Sequence, residues 1–118
     1  MATFAKSKLS GSTDGKGILV VATATPGTAI HTAVTGTGDD NFDELWLWAV
    51  NTDTSARKLT LELGGTTVGF LDEVSLGPEE GLILVCPGII LQNAAAVAAF
   101  ASVASVVNLH GFVNKIRA

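Results

Sequence analysis

The stretch Lys58-Leu59-Thr60-Leu61-Glu62-Leu63-Gly64-Gly65-Thr66-Thr67-Val68 alternates apolar and polar residues and then reaches two glycines. A period of two is that of a half-buried β-strand, whose successive side chains point to opposite faces. It predicts a strand over 58–63 with Leu59, Leu61 and Leu63 toward a core and Thr60 and Glu62 toward solvent. Gly64-Gly65 suits the positive φ of a two-residue hairpin, so the return strand is expected to start at Thr66-Thr67-Val68.

Working outward, the chain continues as short β-rich runs divided by turn chemistry. Downstream come the turn Gly77-Pro78-Glu79-Glu80-Gly81, the run LILVCP (82–87), a second turn at Pro87-Gly88, and IILQ (89–92) as a brief strand. VVNLHGFVNKI (106–116) closes the chain, with Val107, Leu109, Gly111 and Val113 on one face and Asn108, His110, Phe112 and Asn114 on the other. Upstream, Asn51-Thr52-Asp53-Thr54-Ser55 is a loop by residue type. ELWLWAV (44–50) is apolar on both alternating faces, so one face is expected in the core and the other against a second surface. TAIHTAV (28–34) and ILVVAT (18–23) are further strands, joined at Pro26-Gly27, a dipeptide suited to a type II turn.

Residues 93–105, NAAAVAAFASVAS, admit two readings. Alanine favours helix, Asn93 suits an N-cap, and Phe100, Val103 and Val107 fit a helical spacing. Ser102 and Ser105 interrupt that pattern, the flanks are strand-like, and small side chains suit a strand pressed against a neighbour. Strand is the expectation. The 118 residues make one domain. The predicted fold is all-β, a single-domain antiparallel β-sandwich or jelly roll of about eight strands over 18–118. Residues 1–17, polar and carrying Lys6, Lys8 and Lys16, read as an extended N-terminal arm. That arm either meets a partner or packs along its own domain.

Composition narrows the function classes. Hydrophobic residues reach 47% and charged ones only 15%, against roughly 25% charged in an average globular protein. Mean hydropathy is +0.45. This excludes a disordered chain. Seven Lys and Arg against eleven Asp and Glu leave no basic stripe for nucleic acid. The single Cys86 allows no internal disulfide and no cysteine-rich zinc site, and reads as a small buried hydrophobe. No apolar run reaches the length of a membrane-spanning helix. ILVVATA (18–24) has the composition of a short signal-peptide core. The residues before it are long, Gly/Ser-rich and include Asp14, so synthesis and assembly in a reducing cytoplasm are expected.

Nothing in the sequence assembles an enzyme. His31 and His110 sit in apolar strands with no nucleophile or orienting carboxylate in a recognisable frame. Gly15-Lys16-Gly17 lacks the spacing of a phosphate loop. Asp39-Asp40-Asn41-Phe42-Asp43-Glu44 begins like a calcium loop, but Glu44 stands where glycine is needed and Val50 where the bidentate Glu belongs. A solvated loop is the reading, with no metal and no cofactor. Trp46 and Trp48 lie two apart and so share one strand face. They suit core or subunit-interface packing, or stacking on a sugar.

A lone sandwich leaves about half of each strand wet. Here Trp46, Trp48, Val50, Ile83, Val85, Ala96, Ala98 and Phe100 would supply apolar outer faces. Monomers rarely expose such patches, so burial against copies or a host surface is expected. The strings LSGSTDGKGI (9–18), ATATPGTAIHTA (22–33), DELWLWAVNTDTSARKLTLELGG (43–65), LILVCPGIIL (82–91) and VVNLHGFVNKI (106–116) are distributed over nearly the whole chain, from about residue 9 to residue 117. Together they resemble small structural proteins encoded among the virion genes of tailed bacteriophages. Such proteins are similar to the β-sandwich or jelly-roll decoration (cement) proteins of phage heads. The resemblance implies a virion protein bound to the major capsid protein or another virion protein, as a homotrimer. On that reading Lys6, Lys8 and Lys16 meet acidic surface, and Trp46, Trp48 and Phe100 form the inter-subunit core. A tail, neck or head-fibre accessory protein, or a carbohydrate-binding host-adhesion module, is the alternative.

Overall fold

The computed structural model describes residues Thr3–Arg117. Nine strands follow in chain order: β1 (Thr3–Lys8), β2 (Ile18–Val20), β3 (Thr28–Thr32), β4 (Phe42–Asn51), β5 (Arg57–Leu63), β6 (Leu71–Leu76), β7 (Ile83–Leu91), β8 (Ala96–Ala101) and β9 (Val107–Arg117). A 3₁₀ turn, Val68–Phe70, precedes β6, and no α-helix occurs among the described residues. Sheet A has the order β1-β9-β4-β7, with β2 also on β9, and sheet B the order β3-β8-β5-β6. Every pairing is antiparallel. The pairs nest about the 64–70 turn: β5 with β6, β4 with β7, β3 with β8, β2 with β9. The chain is therefore one long antiparallel ribbon whose successive segments fall alternately in sheet B and sheet A. The two sheets pack face to face as a sandwich.

The core fills the space between them. On β4, Leu45, Leu47 and Ala49 are fully buried, while Trp46, Trp48 and Val50 point the other way and are half-buried. Val107, Leu109 and Val113 of β9 and Cys86 of β7 complete the inner side of sheet A. Sheet B answers with Ile30, Leu59, Leu61, Leu76, Val97, Ala99 and Ala101. Each fully buried leucine contributes about 1.5–3 kcal/mol. A one-residue slip of β4 would trade three buried residues for two indoles, so the register is firmly set. Burial also pushes the Cys86 thiol above its ordinary pKa, which keeps it protonated and unreactive.

Residues 93–105 contain strand, as expected: β8 sends Val97, Ala99 and Ala101 inward. Its small side chains matter, because the chain at Gly27 presses on it. A Cβ on Gly27 would lie 2.5 Å from the Ala99 carbonyl oxygen. That close approach, and not a type II turn, is the use of this glycine, whose φ is not in the left-handed region.

Other local expectations change. Thr60 and Glu62 do not face solvent; they are 5% and 2% exposed. The loop before β3 lies over them, with the Thr25 hydroxyl and the Gly27 N–H (2.6 Å) both donating to the Glu62 carboxylate. The return strand starts at Leu71 and not at Thr66, because the 3₁₀ turn brings the Phe70 ring over Gly65, where a Cβ would meet it at 2.7 Å. Pro87-Gly88 is not a turn. β7 runs straight through it, with register shifts between Leu45 and Trp46 and between Leu47 and Trp48 of its partner. Gly88, at φ +83, supplies the left-handed residue such a bulge accommodates. The bulges also reassign faces: Ile83 and Val85 pack on the core, while Leu84 and Ile90 are exposed.

Thr3–Lys8, read as part of an arm, pair residue for residue with Arg117–Phe112 as the outer strand of sheet A. Of the two readings of 1–17, the described residues follow the one in which the segment packs along its own domain. Its anchor is Leu9, buried to 1% exposure at the end of β1. Met1 and Ala2 lie outside the described residues.

Candidate docking face

β4 and β9 set three aromatic rings side by side on the outer face of sheet A. Trp46 lies directly across from Phe112, with ring centroids 6.4 Å apart and planes 16° apart. Trp48 completes the group, 6.3 Å from Trp46 and 5.9 Å from Phe112. Near-parallel, offset rings are a favourable aromatic arrangement. Gly111 permits it: a Cβ there would strike the Trp46 carbonyl oxygen at 2.1 Å, so only glycine lets the two backbones approach.

Polar groups fix the edge of this platform. The Trp46 indole N–H donates to Glu44 Oε1 at 2.6 Å, and the Asn114 amide donates to the same oxygen at 3.0 Å. The bond from Trp46, then that from Asn114, holds the Glu44 carboxyl below its ordinary pKa. Lys6 of β1 places its ammonium 4.4 Å from the Phe112 centroid, a cation–π contact. Toward β1 the face opens into a groove of about 510 Å³ bounded by Phe4, Phe42, Glu44, Asn114 and Ile116. Toward β7 it continues through Leu84, opposite Trp48, and Pro87, opposite Trp46. Phe4, Leu84 and Ile90 are 74%, 45% and 55% exposed. An aromatic centre with a polar margin is the anatomy of an association surface.

The structure brings together Lys6, Trp46 and Trp48 of the expected interface residues. Lys8 ends β1 at the neighbouring polar pocket, and Lys16 lies in the β1–β2 loop, its carbonyl accepting from the Ser12 hydroxyl. Phe100 does not join them. It belongs to β8, opposite Thr60 on the outer side of sheet B, so within one subunit it lies on a different face from Trp46 and Trp48. Phe112 and Glu44 are the members that sequence reasoning missed. The alternation of β9 placed Phe112 on the outer face, but its meeting with Trp46 needed the register.

A second cluster lies in that polar pocket. His31 Nε2 is 2.8 Å from Asp43 Oδ2, and Arg117 donates to Asp43 Oδ1 at 2.7 Å. Burial raises the Asp43 pKa, but the bonds from His31 and Arg117 outweigh it and hold the carboxyl below its ordinary range. Ser10 Oγ lies 3.1 Å from His31 Nδ1, so Ser10, His31 and Asp43 have the connectivity of a nucleophilic triad. The remaining bonds use it differently. The Ser10 backbone N–H donates to Nδ1 at 3.0 Å and the Thr32 N–H donates to Ser10 Oγ at 2.8 Å. The lone pair a base would use is thus engaged by the main chain, and the cluster pins the end of β1 to β3, β4 and β9. Asp43 turns inward and Glu44 outward, so the acidic stretch 39–44 is split between two faces. Among the described residues no three His, Cys, Asp or Glu gather as a metal site.

No known protein family, curated protein or solved structure matches the chain.

Proposed function

We propose that the chain is a structural subunit that works by docking, a capsid decoration (cement) protein of a tailed bacteriophage. The carrying observation is the outer face of sheet A, where Trp46, Trp48 and Phe112 continue into exposed Phe4, Leu84 and Ile90. The partner is the major capsid protein or another virion protein in a particle assembled in the bacterial cytoplasm, and the protein itself is a homotrimer. A subunit that binds only the assembled lattice stabilises it by mass action. The setting comes from the sequence resemblance. A jelly-roll reading is supported by the nested ribbon: taking β1 and β2 as one interrupted strand on β9, two four-stranded sheets exchange the chain as a rolled hairpin does.

Quantifying the protein in purified particles tests this. A copy number that scales with shell area is expected, and Trp48→Ala is expected to lower occupancy without unfolding the domain. A copy number matching a single vertex or tail would move the protein to the neck or tail. Absence from particles would end the reading. One observation favours a second reading, a carbohydrate-binding adhesion module: the near-parallel rings have polar groups, Glu44 and Asn114, at their border. Specific glycan-array signals lost in Trp46→Ala would select it.

A further inference from the structure

Among the described residues five strands have a free side: β1, the three-residue β2 and β7 in sheet A, and β3 and β6 in sheet B. A free edge presents unpaired N–H and C=O groups and templates a further strand unless something blunts it. β7 is blunted by two bulges and Pro87, and β3 by the register shift between Ala29 and His31. β1 and β6 are not. Each keeps an uninterrupted register of six pairs with its inner neighbour, and each is six residues long.

Their charges are opposite. Lys6 and Lys8 of β1, with Lys115 and Arg117 on the adjoining end of β9, are four of the seven cations in a chain of net charge −4. Of these, Arg117 is paired with Asp43, while Lys6, Lys8 and Lys115 make no salt bridge among the described residues. β6 carries Asp72 and Glu73 and leads into the turn holding Glu79 and Glu80, four of the eleven carboxylates. Lys6 and Lys8 alternate onto the outer face of sheet A, as Glu73, opposite Thr60, does on sheet B.

We propose that β1 of one copy adds to β6 of the next, joining sheet A of one subunit to sheet B of its neighbour. This rests on the reading that the chain assembles with copies of itself, and it names the contact. Two six-residue strands exchange about six main-chain hydrogen bonds when antiparallel, and opposite charges across the joint select this pairing over β1 with β1 or β6 with β6. The contact is heterologous, one edge to a different edge, so it closes into a ring when the rotation per subunit allows.

Sedimentation of the full chain at low salt, with folding checked by circular dichroism, tests it. The wild type is expected to associate and to dissociate as salt rises, since exposed charges are screened. K6E/K8E and D72K/E73K are each expected to be folded and to shift at least tenfold toward monomer. The fourfold variant carrying both reversals is expected to associate again. K8E and D72K, which leave the Lys6–Phe112 and Lys58–Glu73 contacts intact, should show the same pattern more weakly. Association unaffected by either reversal, yet abolished by Trp48→Ala, would overturn the edge contact and leave the assembly reading standing. A wild type that stays monomeric at every concentration would overturn both.

Discussion

The outer faces of the two sheets start from the same problem and solve it differently. Sheet A carries rings that a solvated strand face would not, and sheet B carries polar residues that are nonetheless buried. On sheet B, the outward side of β5 holds Thr60 and Glu62, and the protein covers it with its own loop, whose Thr25 and Gly27 saturate the Glu62 carboxylate. On sheet A, Trp46, Trp48 and Phe112 shield one another, and exposed Phe4, Leu84 and Ile90 extend the apolar surface. One face is closed from within; the other is left open by its own chain. Apolar composition alone does not mark an interface. What marks it is apolar surface that no segment of the same chain has covered.

The largest effect is expected at the closed face. Glu62→Ala strips the acceptor from the Gly27 N–H and the Thr25 hydroxyl, and should cost about 2–4 kcal/mol by urea denaturation. Glu73→Ala, on the exposed β6 edge of the same sheet, should cost about 0.5 kcal/mol or less. Equal costs would mean the loop does not seal sheet B.

Next comes the open face. Trp48→Ala removes one ring of three and should cost the isolated domain about 1–3 kcal/mol, while lowering occupancy on purified particles. Phe100→Ala, on sheet B, should leave that occupancy intact. If Phe100 mattered as much as Trp48, the asymmetry between the faces would be lost.

The smallest effect is a pH dependence that separates two neighbours on β4. Asp43 and Glu44 both have folded pKa values below their unfolded ones. Each therefore contributes stability that is present above about pH 4 and lost as pH falls through the folded value. Asp43 turns inward to His31 and Arg117; Glu44 lies at the rim of the aromatic face. Asp43→Asn should flatten the acid limb of a Tm-versus-pH curve more than Glu44→Gln does. The reverse order would place the stronger ionic network on the outer face.

Much of this architecture is legible along the chain. The alternation in 58–63, 44–50 and 106–116 names the inner residues Leu59, Leu61, Leu45, Leu47, Leu109 and Val113, and all of them are buried. Where reading failed, a distant segment intervened. Glu62 looked solvated because its cover comes from residues 25–27. Pro87-Gly88 looked like a turn because the dipeptide is the same whether the chain reverses or bulges past Trp46. That Phe100 lies on the other sheet from Trp46 is likewise not written in the sequence, which does not say which sheet a strand joins.

The sequence by itself determined that this is an all-β chain, where the inner faces of 44–50, 58–63 and 106–116 lie, and that it carries more apolar surface than one sandwich hides. Those are consequences of a period of two and of composition, both local properties. Only the tertiary structure decided which outer face is covered, which residues meet across β4 and β9, and that the two edges free of bulges bear opposite charge. Each depends on strand order and register, which are set by contacts between segments far apart in the chain.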